Sequence, residues 1–251
     1  MALQEELEKQ GNWLFKYRSY IPLIVLLIGT ALYLRKEFYP DVFILKETPY
    51  EIYYEMFALL VSFMGLVVRV YTVGHTPKNT SGRNTKQGQV ADTLNTTGIY
   101  SIVRHPLYVG NLLMWLGPAI LTGHLWFIVA FALFYWVYYE RIMYAEEQFL
   151  RRKFGEEYLQ WAEKVPAFIP KLKGFKKSDL PFSWRKVLKK EKNGLLAMFL
   201  IFTIFDVSGE LINHQNEYNY FLIAATTLTG LTYIVIKILT KKTALLKEPS
   251  R

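Results

Sequence analysis

Apolar residues in this 251-residue chain fall into six long blocks, and that segregation constrains the fold more than anything else in the sequence. The blocks run roughly Tyr20–Leu34, Ile52–Val73, Leu107–Thr122, Leu125–Tyr144, Leu195–Ile212 and Tyr220–Leu239. Each reaches or approaches the twenty or so residues that cross a bilayer's hydrocarbon core. The third is the shortest and carries Gly117-Pro118, which predicts a kink or tilt. The chain combines 16% aromatic residues with a net charge of +9, so its charges must be gathered between the blocks. A soluble fold would stack these blocks into a core too large for the remaining polar surface. The expected fold class is therefore all-α, a polytopic transmembrane helical bundle with about six membrane helices.

The first block reads as a retained helix. Nineteen residues precede it, several acidic, and Arg35-Lys36 end it without a small-residue cleavage site. Residues 1–19 read as an amphipathic interfacial helix anchored by Trp13, Phe15 and Tyr17. Residues 20–251 then form one membrane domain: a core over about 52–170, an interfacial segment over 171–192 and a helical pair over 194–240.

Positive charge sets the orientation. Tyr139–Asn193 carries fourteen Lys and Arg, the densest such stretch. Placing it in the cytoplasm puts both termini and the Thr72–Arg104 loop there, with a cofactor pocket on the same side. Only Arg35, Lys36 and Lys46 then lie on the outer face. Basic residues beside membrane helices read as attraction to anionic phospholipids rather than to nucleic acid. There is no cysteine, and the histidines at 75, 105, 124 and 214 are widely spaced, so neither a disulfide nor a metal site is expected. No glycine-rich dinucleotide fingerprint, phosphate loop or nucleophile elbow is present.

Chemistry concentrates where blocks meet water. Arg104 and His105 precede Pro106, which suits the first turn of a helix. Free N–H groups and the helix dipole favour an anion there. Tyr108 and Asn111, three residues apart, share a face. About forty residues on, Glu146 and Glu147 end the fourth apolar block, where they can accept from ribose hydroxyls or an amino group, or balance a sulfonium. Taken singly, each has a plain structural reading: Arg104 snorkels to lipid phosphate, His105 caps its helix, and the glutamates are a solvated face. Taken together, polar groups clustered at this depth point to function. The helix is expected to continue past Glu147 to about Trp161, ended by Pro166 and Pro170. The polar 74–97 stretch is long for a connection and reads as a binding loop or a linker.

These residues carry a resemblance. The run G-x-Y-x-x-x-R-H-P-x-Y-x-G from Gly98 to Gly110, followed by Glu146-Glu147 and F-G-x-x-Y-x-x-W-x-x-x-V-P-x-F-I-P to Pro170, is similar to the signature of the isoprenylcysteine carboxyl methyltransferase and phospholipid methyltransferase superfamily. Phe149-Leu150 stands near the usual leucine position. The resemblance implies that S-adenosyl-L-methionine binds from the cytoplasm and that a lipid acceptor enters from the bilayer. It implies cofactor contacts at His105, Tyr108, Gly110, Asn111, Glu146, Glu147 and Tyr158, with 158–170 closing over them. Arg104, Glu147 and Lys164 are the expected catalytic residues, and Arg83 and Arg104 the expected contacts to the acceptor's anionic group. In-line methyl transfer to an ionised oxygen requires no metal and no strong base, only orientation and exclusion of water.

A rival resemblance is to NADPH-dependent membrane sterol reductases, which carry R-H-P-N-Y-x-G-E. This chain has Leu107 and Asn111 at the two departing positions. A non-catalytic lipid-binding protein is the remaining alternative. The TSGRN and LNTTG stretches are similar to bacterial members, including the kind that methylates a lipid A phosphate. That favours an anionic lipid headgroup, phosphate or carboxylate, in a bacterial inner membrane, with a phospholipid amine, whose proton Glu147 could take, as a further acceptor behind it. Asp206, Ser208 and Glu210 near the end of the fifth block have no assigned role at this level.

Overall fold

The computed structural model describes residues 2–43, 45–46, 48–77, 83–85, 88–214 and 217–246. The described chain is a helical bundle: α1 (Leu3–Tyr17), α2 (Ile21–Phe38), α3 (Glu51–His75), α4 (Pro106–Leu121), α5 (Leu125–Phe154), α6 (Glu156–Ala162), α7 (Trp184–Asn213) and α8 (Tyr220–Lys242). A two-stranded antiparallel ribbon, β1 (Arg83–Thr85) with β2 (Gly88–Val90), departs from the all-α expectation.

α3, α5, α7 and α8 are long and apolar enough to cross a membrane, and α1 with α2, bent by 68°, make a fifth span if taken as one. The protein is thus an integral multi-pass membrane protein. The sixth expected span, α4, has only 16 residues. Its rise of about 24 Å falls short of the roughly 30 Å hydrocarbon core. Upstream, Gly98 takes φ +60° and leads into a 3-10 turn over Ile99–Ser101, and the helix starts at Pro106. An L-residue with a side chain is disfavoured in that conformation.

Helices α3 and α4 form the tightest pair. A Cβ on Gly65 would lie 2.5 Å from the Gly110 carbonyl, and one on Gly117 2.5 Å from the Ala58 carbonyl. Backbones therefore touch along the pair, as small residues permit inside a bilayer. Pro118 lies within α4 and lacks the N–H that would bond to the Met114 carbonyl. Ser62 on α3 repairs this, its hydroxyl donating to Met114 O at 2.9 Å. The Tyr54 hydroxyl likewise donates to the terminal Ile120 carbonyl at 2.5 Å.

Several boundaries differ from expectation. The helix expected to run on to Trp161 breaks at Gly155, φ +53°, and restarts as α6. The interfacial segment stops at Ser183, whose hydroxyl accepts from Lys186 N and starts α7, so residues 184–192 belong to that helix. In α1, Phe15 is not a lipid anchor but a buried core residue packed with Tyr138 and Tyr139. Gly11 sits against the Arg141 carbonyl, and Glu8 pairs with Arg152 at 2.6 Å, so α1 covers α5.

The cations expected on the wrong side are largely matched. Lys36 is fully buried, 3.2 Å from Glu37, and Lys46 reaches Glu37 at 2.6 Å and Glu51 at 3.0 Å. At the α7–α8 turn, Asp206 accepts from Asn219 N and Glu210 from Glu217 N, while Ser208 bonds back to Phe205 O. Two of the three unassigned polar residues thus tie down a turn.

Candidate active site

The residues before α4 are held by a strap that returns from α6. Arg104 N donates to Pro166 O at 2.9 Å, His105 N to Ala167 O at 3.1 Å, and Lys171 N to Ile102 O at 2.9 Å. Pro166 supplies no N–H of its own, so it serves here only as an acceptor. Trp161 Nε1 fixes the other edge by donating to Tyr100 O at 3.1 Å. Nearby sequence is thereby folded so that the start of α4 faces the last turns of α5.

Five side chains meet between them. Arg104 grips Glu147 with a two-point fork, Nε to Oε1 at 2.9 Å and Nη2 to Oε2 at 3.2 Å. Its Nη1 donates to the carbonyls of Ala162 and Val165 at 2.6 and 2.8 Å. Four of the roughly five N–H donors of a guanidinium are therefore engaged within the chain, and the strap is one of the things they hold. His105 Nε2 lies 2.9 Å from Glu147 Oε1, and since an ionised carboxylate only accepts, the imidazole donates. Its Nδ1 is 3.7 Å from Glu146 Oε2. The Tyr108 hydroxyl donates to Glu146 Oε2 at 2.9 Å and its ring stacks on His105 at 5.6 Å. The imidazole does not cap α4, for it makes no cap bond there. The anions gathered at this helix start are the chain's own carboxylates.

Two carboxylates meet a single guanidinium in this cluster, with the imidazole between them. Among the described residues, no second lysine or arginine pairs with Glu146 or Glu147. Glu146 is 3% exposed. Carboxylates at that depth are held at a cost that a nearby cation relieves. Beside it, the Tyr158 hydroxyl is buried with no hydrogen bond of ordinary geometry, close enough to the Glu147 carboxylate to feel its charge. Burial, reinforced by that carboxylate, pushes the phenol far above its ordinary range, so it stays a proton donor.

Asn111 belongs to a neighbouring network. Its Oδ1 accepts from Arg69 Nη1, and Arg69 forks onto Glu191 of α7 with both distances 2.8 Å. Asn111 Nδ2 reaches the Tyr139 hydroxyl at 3.5 Å, and Tyr135 donates to the Tyr108 carbonyl at 2.7 Å. Gly110 faces α3, where a Cβ would lie 2.6 Å from Arg69 Cγ. Lys164 is exposed at the end of α6. Arg83 is paired with Val90 in the ribbon, and its side chain lies outside the described residues. The structure thus brings Arg104, His105, Tyr108, Glu146, Glu147 and Tyr158 together, puts Asn111 and Gly110 on the α3-facing side of α4, and leaves Lys164 apart.

Sequence reading missed Arg69 and Glu191. A signal existed for Arg69: it is the one charged residue between Glu55 and His75 in an otherwise apolar block, a position where charge is expensive and paired.

The charged cluster at one end of a helical bundle defines a membrane protein with a candidate cation-binding site. Residues 53–157, under half the chain, match the family model described as phospholipid methyltransferase. Over 77 residues the chain is 40% identical to Protein-S-isoprenylcysteine O-methyltransferase of Schizosaccharomyces pombe, covering 31% of this chain and 33% of that protein. It is 38% identical over 78 residues to Protein-S-isoprenylcysteine O-methyltransferase B of Arabidopsis thaliana, covering 31% and 39%. It is 40% identical over 85 residues to the cobalt-zinc-cadmium resistance protein CzcN of Cupriavidus metallidurans, covering 34% and 39%. The matched region spans between a third and two fifths of the length of these relatives. No solved structure matches.

Proposed function

We propose that the protein is an integral membrane methyltransferase that uses S-adenosyl-L-methionine to methylate an anionic group on a membrane-embedded lipid. The observation that carries this reading is the meeting of two buried or half-buried carboxylates with a single guanidinium in the Arg104–His105–Glu146–Glu147 cluster, with the Tyr158 hydroxyl beside it. The cofactor fits that donor set: its ammonium and sulfonium against one carboxylate leave it one positive charge in excess. Bound, it supplies an electrophilic methyl group on sulfur.

The chain's own residues do the rest. Glu146 and Glu147 hold the cationic part, each oriented in advance by a bond from Tyr108 or from Arg104 and His105. Tyr158 offers its free O–H to a cofactor oxygen or nitrogen. The strap from Val165 to Lys171, drawn to α4 through Arg104, keeps water away from the reacting atoms. Arg104 acts as a positioning residue, and its remaining N–H is available to the acceptor. Lys164 and Arg83 serve in drawing an anionic headgroup towards the site. Because an ionised oxygen is already the nucleophile, the rate comes from alignment and desolvation.

The acceptor is a lipid phosphate or a carboxylate. The names of the relatives favour one form of the latter, the carboxylate of an isoprenylated cysteine. The basic 139–193 stretch supports a cytoplasmic site, with both termini on that side and anionic phospholipids against it. A bacterial inner membrane is the setting we favour. The family match over 53–157 supports methyl transfer over hydride transfer.

The test is transfer of tritium from S-adenosyl-[methyl-³H]methionine by the purified protein to bacterial lipid extracts and, separately, to N-acetyl-S-farnesylcysteine. Label in an organic-soluble product, reduced at least a hundredfold by Glu147→Gln, supports the proposal. Label in neither, or label on an amine, overturns the anionic-acceptor reading.

A further inference from the structure

A cavity of about 740 Å³ lies in the other half of the bundle from the charged cluster. Its walls come from the Ile52–Phe63 stretch of α3, the Phe199–Asp206 stretch of α7 and the start of α8. Along α3, Glu55 precedes Arg69 by a rise of about 21 Å, so the cavity is separate from the site proposed above. Helices α7 and α8 also lie outside the matched residues 53–157. The volume falls within the roughly 300–1,000 Å³ of small-molecule sites.

The lining is mostly hydrocarbon and aromatic, with two ionisable carboxylates, Glu55 and Asp206. Asp206 accepts from Asn219 N at 3.1 Å, and Glu55 makes no side-chain hydrogen bond among the described residues. The lysines on that side, Lys36 and Lys46, are already held by Glu37 and Glu51. Two carboxylates sharing an apolar wall repel each other, and a cation between them relieves the repulsion. The mouth opens sideways to lipid, where Tyr53, Met56, Phe57 and Leu60 are 67, 60, 53 and 54% exposed. Lined by apolar surface over about 17 Å of α3, the cavity has the length of an extended dodecyl chain.

We propose that this cavity is a second lipid site, which takes one hydrocarbon chain and sets a protonated amine headgroup against Glu55 and Asp206. An anionic head is repelled there, and a hydroxyl head leaves the charge unmatched. The site does not depend on the methyltransferase reading, since no residue of the Arg104–Glu147 cluster lines it.

The test is photolabelling of the full-length protein in phosphatidylcholine nanodiscs with a diazirine-bearing dodecylamine, followed by peptide mapping. We expect label on residues 52–63 and 199–206, displaced by dodecylamine at least tenfold better than by dodecanol or dodecanoate. The double variant E55Q/D206N should abolish that preference, and Glu147→Gln should leave it unchanged. Phe202→Trp, which fills the cavity without touching its charges, should reduce labelling of both stretches. Equal displacement by the three amphiphiles, or a preference that survives E55Q/D206N, would mean adventitious hydrocarbon binding only and overturn the proposal. So would label confined to other helices.

Discussion

Arg104 grips Glu147 through a two-point fork at 2.9 and 3.2 Å, joining the turn before α4 to the last turns of α5 across forty-three residues of sequence. The same guanidinium holds the carbonyls of Ala162 and Val165. One side chain therefore orients a carboxylate and anchors the strap over it. Arg104→Lys keeps the charge but cannot reproduce a planar fork with carbonyl contacts on its other side. We expect Arg104→Lys to lose at least tenfold in methyl transfer, with faster proteolytic cleavage in 158–170. Unchanged cleavage would separate Arg104 from the strap.

Tyr158 offers a sharper test, because its hydroxyl is buried and unbonded. Removing an unsatisfied buried hydroxyl returns about 1–3 kcal/mol of desolvation. Tyr158→Phe should therefore melt no lower than the parent in the absence of ligand, and should bind S-adenosylhomocysteine at least tenfold more weakly. A drop in Tm with unaltered binding would make Tyr158 a purely structural residue.

Gly110 tests the helix contact rather than the chemistry. A methyl group there meets Arg69 Cγ at 2.6 Å and the Gly65 carbonyl at 2.9 Å. The side chain can move and the backbone cannot, so overpacking should cost about 1–3 kcal/mol. Gly110→Ala should lower the melting temperature in detergent, and Gly110→Val should prevent recovery of monodisperse protein on size exclusion.

Arg69 and Glu191 form a fork at 2.8 Å that links α3 to α7 and steadies Asn111. Breaking one side leaves a charge stranded in the bundle, at about 3–5 kcal/mol. Glu191→Ala should be strongly destabilising, and Arg69→Met with Glu191→Met together should recover most of that loss in a thermal-melt cycle. Additive losses would contradict a coupled pair.

Much of this was legible in the sequence, and the limits have physical causes. Apolar blocks located every long helix, because span length is set by the bilayer and not by partners. Motif residues from Arg104 to Tyr158 converge because the two blocks between them run antiparallel. Boundaries were harder. The break at Gly155 depends on a positive φ that an amphipathic pattern does not encode. Gly110 carried a motif position, but what it touches is decided by α3, outside the motif. Arg69 and Glu191 lie 122 residues apart, and only the packing of α7 against α3 pairs them. Lys36 and Lys46 were expected on the outer face, and only the structure shows that Glu37 and Glu51 supply the opposite charge.

The most direct measurement is calorimetric titration of the purified protein with S-adenosylhomocysteine, repeated on Glu147→Gln and on Tyr158→Phe. A methyltransferase site at Glu147 predicts micromolar binding by the parent, none by Glu147→Gln and weakened binding by Tyr158→Phe, with the latter variant as heat-stable as the parent. No heat from the parent, or equal binding by all three proteins, would contradict it.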